Sequence, residues 1–427
     1  MKLLIKNATL VNTDEIIKAN LLIENGKIAG IGKDIQGADK EIDAKGKYVF
    51  PGFVDLHTHL RTPGKEGEED ILSGSTAAAK GGFTTIFCMP NTEPAIDNEG
   101  LVKWVREESQ SVGLIDIYPV GAITINRAGK ELTEFGALKK AGCLALSDDG
   151  FPVDDTLVLR RAYEYAKMFD LLIISHCEDS QLSRGGSMRE SFISSKYGIA
   201  GIPDIAESLI VARDIELAKY LDAKIHLAHI SSAKSLEIIK RAKKEGVKVT
   251  AETCPHYFTL TIEDIEREGF QGNFKVNPPL GDKKDLAAIK KALADGTIDC
   301  IATDHAPHSL VGKELPFELA PFGFIGLELA FSLTNSYLIK DKTLDLKDLT
   351  SKLSTQPAAI AGLSNCGKIA QGYVADLVIA DLEGKWKVEE ENIASKSKNT
   401  PFLGQELEGT IEHTIKRGKV IYSRLKD

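Results

Sequence analysis

His57-Thr58-His59 follows the apolar run YVFPGFVDL at positions 48–56. Residues two apart on an extended strand face the same side, so both imidazoles can address one site. Three later apolar runs end on the same chemistry: LLIISH on His176, IHLAH on His229 and DCIATD on Asp304. Imidazole and carboxylate suit a borderline divalent cation such as zinc, whereas a closed structural zinc site would ordinarily use cysteines. A fifth run, CLALSDDG, offers Asp148 and Asp149. Two metals held together need an anionic ligand between them, and either aspartate is chemically adequate, the other being free to cap the following turn. A metal acidifies its bound water and polarises a carbonyl, so the constellation points to hydrolysis. Asp304 both reaches such a site and can carry a proton between the attacking water and a leaving nitrogen.

Polar residues just beyond the strand ends are the candidates for holding substrate. Arg61, two past His59 in HLRTPG, offers a guanidinium suited to paired hydrogen bonds with a carboxylate. Asn91 in CMPNT supplies both a donor and an acceptor. Asn277 in VNPPLG does the same, although a residue before proline also answers to backbone conformation. His308 in DHAPHS can bind an anion or orient a substrate. His305 is read as supporting or packed. His226 lies three residues before His229 and should face elsewhere, so His226 and His256 are placed outside the ligand set.

The elements that must position these residues are legible as repeats. From 51 to 366 short apolar or β-branched runs alternate with helical stretches, as in TTIFCMP before NEGLVKWVREES and KIHLAHI before AKSLEIIKRAKKEG. That number of units favours a TIM-like (β/α)8 barrel with catalytic residues at the strands' carboxyl ends. Residues 1–50 and 367–427 read as short alternating strands, with Asn25-Gly26 as a hairpin turn, and are expected to form one small β-sandwich from both termini. Gly30-Ile-Gly32 lies in that β unit without a following helix and is no nucleotide-binding signature.

Composition excludes several function classes. A net charge of −9 over 427 residues argues against nucleic-acid binding, and the basic run from Lys234 to Lys248 reads as the solvated face of a barrel helix. No apolar stretch approaches the roughly 20 residues of a membrane span, and no signal segment opens the chain, so a cytoplasmic location is expected. The six cysteines form no CxxC pair and read as buried thiols.

With these residues in place, the sequence resembles the amidohydrolase superfamily, and more closely dihydroorotases of the bacterial class I form. The likeness runs through DLHTHLRTPG (55–64), CMPNT (88–92), SDDG (147–150), SHCED (175–179), LAHIS (227–231), AETCPHY (251–257), NPPLG (277–281), ATDHAPH (302–308) and APFGFIGLE (320–328). The resemblance implies metal ligation by His57, His59, Asp149, His176, His229 and Asp304. It implies two zinc ions per subunit bridged by Asp149 and a hydroxide. Substrate contacts fall on Arg61, Asn91, Asn277 and His308 and on backbone near Pro321 and Gly323, with Asp304 as general acid and base. The implied reaction interconverts N-carbamoyl-L-aspartate and L-dihydroorotate plus water in pyrimidine synthesis. A homodimer and association with aspartate carbamoyltransferase are further implications. Two departures stand out: CLALSDDG holds no lysine that could be carboxylated as a bridge, and Thr62 follows Arg61 where the family has an acid. The competing readings are hydrolysis of a neutral cyclic amide, against which Arg61 argues, and an inert homologue, against which the retained histidines argue.

Overall fold

The alternating strands at the start of the chain form β1 (Lys2–Val11), β2 (Ile16–Glu24), β3 (Lys27–Gly32), β4 (Lys40–Asp43) and β5 (Tyr48–Pro51) in the computed structural model, which describes residues 2–424. Asn25 at φ 51° and Gly26 at φ 76° make the β2–β3 turn, where two successive left-handed residues match the twist of the flanking strands.

The runs that end on histidine or aspartate then fold as parallel strands. They are β6 (Phe53–Thr58), β7 (Phe83–Cys88), β8 (Asp116–Pro119), β9 (Ala145–Leu146) and β10 (Leu172–Ser175). After the two-residue strands β11 (Met188–Arg189) and β12 (Gly201–Ile202) come β13 (Ile225–Leu227), β14 (Val249–Thr253) and β15 (Cys300–Ile301). One arc runs β6-β7-β8 and the other β9-β10-β13-β14-β15. Single bridges from Gly121 to Leu146 and from Thr58 to His305 join them into an eight-stranded barrel. Every residue of β6 and β7 is buried, as expected of strands covered on both sides.

The seam beside the Thr58–His305 bridge is tied by a buried acid. Asp55 accepts from the Thr303 amide at 3.1 Å, the Thr303 hydroxyl at 2.5 Å and the His57 amide at 3.1 Å. This brings the His57-Thr58-His59 end of β6 against the Asp304 end of β15.

The intervening helices pack by a single stripe. In Ala233–Lys244 the buried residues are Ser235, Leu236, Ile239 and Ala242, a helical spacing that leaves the basic residues outside. Lys240 pairs with Asp295 and Lys243 with Asp299, so the Lys234–Lys248 run is a solvated helix face partly neutralised by acids. Two-residue strands such as β11 and β12 carry no periodicity, and the ribbon they form was not apparent in the sequence pattern.

The chain returns to the first sheet through β16 (Leu377–Lys387), β17 (Glu406–Lys416) and β18 (Lys419–Ser423). The order β18-β17-β16-β5-β1-β2-β3, with β4 also on β1, joins both termini in one mixed sheet, the small β-sandwich beside the barrel. Its separate core includes Leu3, Ile5, Leu21, Ile23, Val49, Leu377, Ile379 and Ile415. Cys88, Cys143, Cys177, Cys254 and Cys300 are buried thiols, while Cys366 is half-buried. Among the described residues no helix is long and apolar enough to cross a membrane.

Candidate metal centre and active site

Four imidazoles and two carboxylates converge where the barrel strands end. His57 lies in β6 and His59 just past it; Asp149, His176, His229 and Asp304 follow β9, β10, β13 and β15. All six are at most 6% exposed. Asp149 stands at the centre: its oxygens lie 3.3 Å from His57 Nε2, 3.7 Å from His59 Nε2, 3.3 Å from His176 Nδ1 and 3.6 Å from His229 Nε2. Asp304 Oδ1 is 3.0 Å from His59 Nε2 and 3.6 Å from His57 Nε2. Two triads result, His57–His59–Asp304 and His57–Asp149–His229, sharing His57. His176 joins the second, with Nδ1 2.9 Å from His229 Nε2.

These residues fit divalent metal ions. His57 Nε2 and Asp149 Oδ1 are buried without a hydrogen-bond partner, although 3.3 Å apart. Such orphaned atoms cost free energy unless something else engages them, and a cation between them does so. The donors are imidazole and carboxylate throughout, a set chemically suited to zinc. The overlapping triads constitute a binuclear site in which Asp149 occupies the central position and no carboxylated lysine takes part.

Asp148 and Asp149 separate cleanly. Asp148 accepts from the amides of Ile123 and Thr124 at 2.8 and 3.0 Å and from the Thr124 hydroxyl. These bonds tie it back to the Ile123–Thr124 stretch rather than to the turn that follows it, leaving its neighbour to face the imidazoles.

Carboxylates and amides behind the ligands fix ring orientation, as histidine ligands generally require. Glu252 Oε1 lies 3.1 Å from His57 Nδ1, and its Oε2 lies 2.9 Å from His226 Nε2. His226 Nδ1 is 2.8 Å from Thr250 Oγ1. His226 therefore faces away from both triads and reaches His57 only through Glu252. Glu178 Oε2 is 2.9 Å from His176 Nε2 and accepts from Asn277 Nδ2 at 2.9 Å. Asn91 Oδ1 lies 2.9 Å from His59 Nδ1, which leaves its Nδ2 available. The motif reading missed Glu252 and Glu178. An acid inside the buried strand VTAET, and one spaced two residues from a ligand in SHCED, were the available signals.

Ionisation follows from this crowding. Burial opposes charge on His57, but Asp149, Glu252 and Asp304 outweigh it and raise its pKa well above the usual value. Burial likewise opposes charge on His176, yet Asp149 and Glu178 push it up to about 10. Burial pushes Glu252 up, but the His226 charge and the bonds from His226 and His57 bring it down to about 2. Asp304 is also raised by burial and more than offset by the His59 bond and the neighbouring imidazoles, so it lies well below the carboxylate range. The same imidazoles thus hold Asp304 as a carboxylate.

Arg61 lies at the rim at φ 59°, donating from Nε to the Pro307 carbonyl at 3.0 Å. His229 and Asp304 also hold positive φ, 34° and 47°. Left-handed non-glycine backbone is costly and concentrates at functional sites. His308 Nε2 is 2.7 Å from the Phe322 carbonyl, which places its proton there, so Arg61 Nη2 at 3.1 Å is a packing neighbour of that nitrogen. The His308 amide donates to Asn399 Oδ1 at 3.0 Å, tying the site to the segment that follows β16. Gly323 at φ 108° has no room for a side chain, since a Cβ would lie 2.6 Å from that of Ala306. His305 is held between Glu69 and the Gly326 amide, and His256 packs against Tyr257 and Phe324, where burial pushes it down to about 3.

Comparison with known proteins agrees with this architecture. Residues 46–235 match the dihydro-orotase-like family and residues 212–422 the amidohydrolase family. A dihydroorotase from Endomicrobium trichonymphae is 46% identical over 99% of this chain and 100% of its own length. One from Elusimicrobium minutum (strain Pei191) is 49% identical over 98% of this chain and 97% of its own. Among solved structures, L-hydantoinase (dihydropyrimidinase) from Arthrobacter aurescens superposes with a TM-score of 0.90 at 26% identity, covering 99% of this chain and 96% of that one. Dihydropyrimidinase from Brevibacillus agri NCHU1002 gives 0.83 at 26% identity, covering 98% and 95%. Full-length identity at this level, on a barrel whose strand ends gather four histidines around Asp149, means that the chain belongs to the dihydroorotase family of the amidohydrolase superfamily.

Proposed function

We propose that the protein interconverts N-carbamoyl-L-aspartate and L-dihydroorotate plus water, a step of pyrimidine synthesis. The observation that carries the substrate assignment is Arg61, a guanidinium two residues beyond the ligand His59, since a neutral ring needs no carboxylate clamp. In this reading His57, His59, Asp149, His176, His229 and Asp304 hold two divalent ions. When bound, such ions polarise the ring carbonyl and acidify a water. Asp304 takes the proton of the attacking water as its oxygen bonds to the carbonyl carbon. It passes that proton to the ring nitrogen as the carbon–nitrogen bond breaks. In synthesis the nitrogen loses its proton to Asp304 as it bonds to the carboxyl carbon, and Asp304 returns that proton to the departing oxygen, which leaves as water. Arg61, Asn91, Asn277 and His308 orient the substrate, with backbone at Pro321 and Gly323 against the ring.

The proposed division of labour assigns residues 51–366 to the catalytic barrel and 1–50 with 367–427 to the β-sandwich. It is supported by the β5–β16 pairing, which places Tyr48 opposite Ala380 and Val49 opposite Ile379. A cytoplasmic setting belongs to the same proposal, following the small charged metabolites of that reaction.

The test is ring opening of L-dihydroorotate against 5,6-dihydrouracil by the metal-loaded protein. A preference for dihydroorotate of at least about a hundredfold in kcat/KM is expected, because an unfilled charged subsite penalises the neutral ring. Preference for dihydrouracil would overturn the assignment.

A further inference from the structure

The segment from Leu310 to Leu319 has one apolar anchor, Phe317, which is 6% exposed and meets Phe270 edge-on at 5.9 Å between ring centres. Leu310, Val311, Leu315 and Leu319 are 62%, 75%, 43% and 69% exposed, whereas Lys313 is 4% exposed. The buried Lys313 ammonium donates to three backbone carbonyls: Gly323 at 2.7 Å, Pro321 at 2.8 Å and Lys275 at 3.3 Å. Three donors meet three acceptors, and among the described residues no carboxylate lies within salt-bridge distance of this nitrogen. The Gly323 amide in turn donates to the Lys275 carbonyl at 2.9 Å. A second lysine also holds the segment, Lys275 Nζ donating to the Glu318 carbonyl at 2.9 Å and lying 4.4 Å from the Phe322 ring centre.

Burying a lysine without an acid is unfavourable. Burial, then the charges of Lys275 and Arg61, push the Lys313 ammonium down to about 7. Offsetting that cost takes all three of its hydrogen bonds, and those bonds run to the two stretches that carry Asn277 and Pro321–Gly323.

We propose that Lys313 is a positioning residue, stapling the Lys275–Asn277 stretch to Pro321–Gly323 and so fixing the wall against which the substrate ring is held. This rests on the dihydroorotase reading for its substrate, and on the hydrogen bonds alone for the staple.

Lys313→Met fills similar volume without a donor. In the metal-loaded full chain, KM for L-dihydroorotate is expected to rise about 10- to 100-fold with kcat within about threefold, since misplacement of the wall affects orientation. Metal content should not change, and hydrogen exchange of the 318–324 amides should accelerate. Should K313M fail to fold, K313R is measured instead. Its planar fork cannot direct three bonds from one nitrogen, so a smaller KM rise with the same exchange signature is expected. An unchanged KM overturns the proposal, as does a raised KM without faster exchange, or a joint loss of KM, kcat and metal. If the parent protein does not open dihydroorotate, the functional reading fails, and unaltered exchange in the variant then decides separately against the staple.

Discussion

Asp304→Asn is expected to lower kcat for dihydroorotate opening by about 10³-fold, or ~4 kcal/mol in barrier, in the middle of the range for a positioned acid–base group. The carboxylate sits 3.0 Å from His59 Nε2 and is held ionised by the imidazoles around it. An asparagine occupies nearly the same volume and keeps one oxygen that can still face the cluster, but it cannot take up the water's proton. Metal analysis of the same sample separates the two roles of the residue. Loss of turnover with most metal retained assigns the defect to proton transfer. A kcat within tenfold of the parent contradicts the role given to Asp304.

Replacing Arg61 by methionine is expected to reduce kcat/KM for dihydroorotate by about 10³-fold, because a buried carboxylate deprived of its charged partner loses roughly 2–5 kcal/mol. Methionine resembles the arginine stem in length, and Arg61 makes no contact within either metal triad. Metal content should therefore stay at the parent value. Slow opening of dihydrouracil, which has no carboxylate, should change by less than about fivefold, within the scatter expected for lost rim contacts. Equal losses on the two rings would assign Arg61 to general support of the site and remove the observation on which substrate choice rests.

How much of this was legible before the structure depended on whether the information was local. The four clustered histidines could be read because each lies at the end of an apolar run, and strand periodicity says which neighbours share a face. His226 was correctly directed away by the same argument, yet its link through Glu252 to His57 spans two strands and could not be read from either. The choice between Asp148 and Asp149 was undecidable by composition; it turns on Thr124, whose hydroxyl and amide claim Asp148. Barrel closure through single bridges at Gly121–Leu146 and Thr58–His305 left no pattern, nor did the ribbon of β11 and β12. Nothing in the sequence marks Lys313, since its three acceptors are backbone oxygens from elsewhere in the chain.

If two divalent ions held around Asp149 make this barrel a hydrolase, titrating metal into chelator-stripped protein must restore its activity. Turnover of L-dihydroorotate should be absent without metal and rise to a plateau at two equivalents per chain, with Asp149→Ala failing to reach it. Full turnover by stripped protein, or binding of two equivalents with no gain in turnover, would contradict the claim.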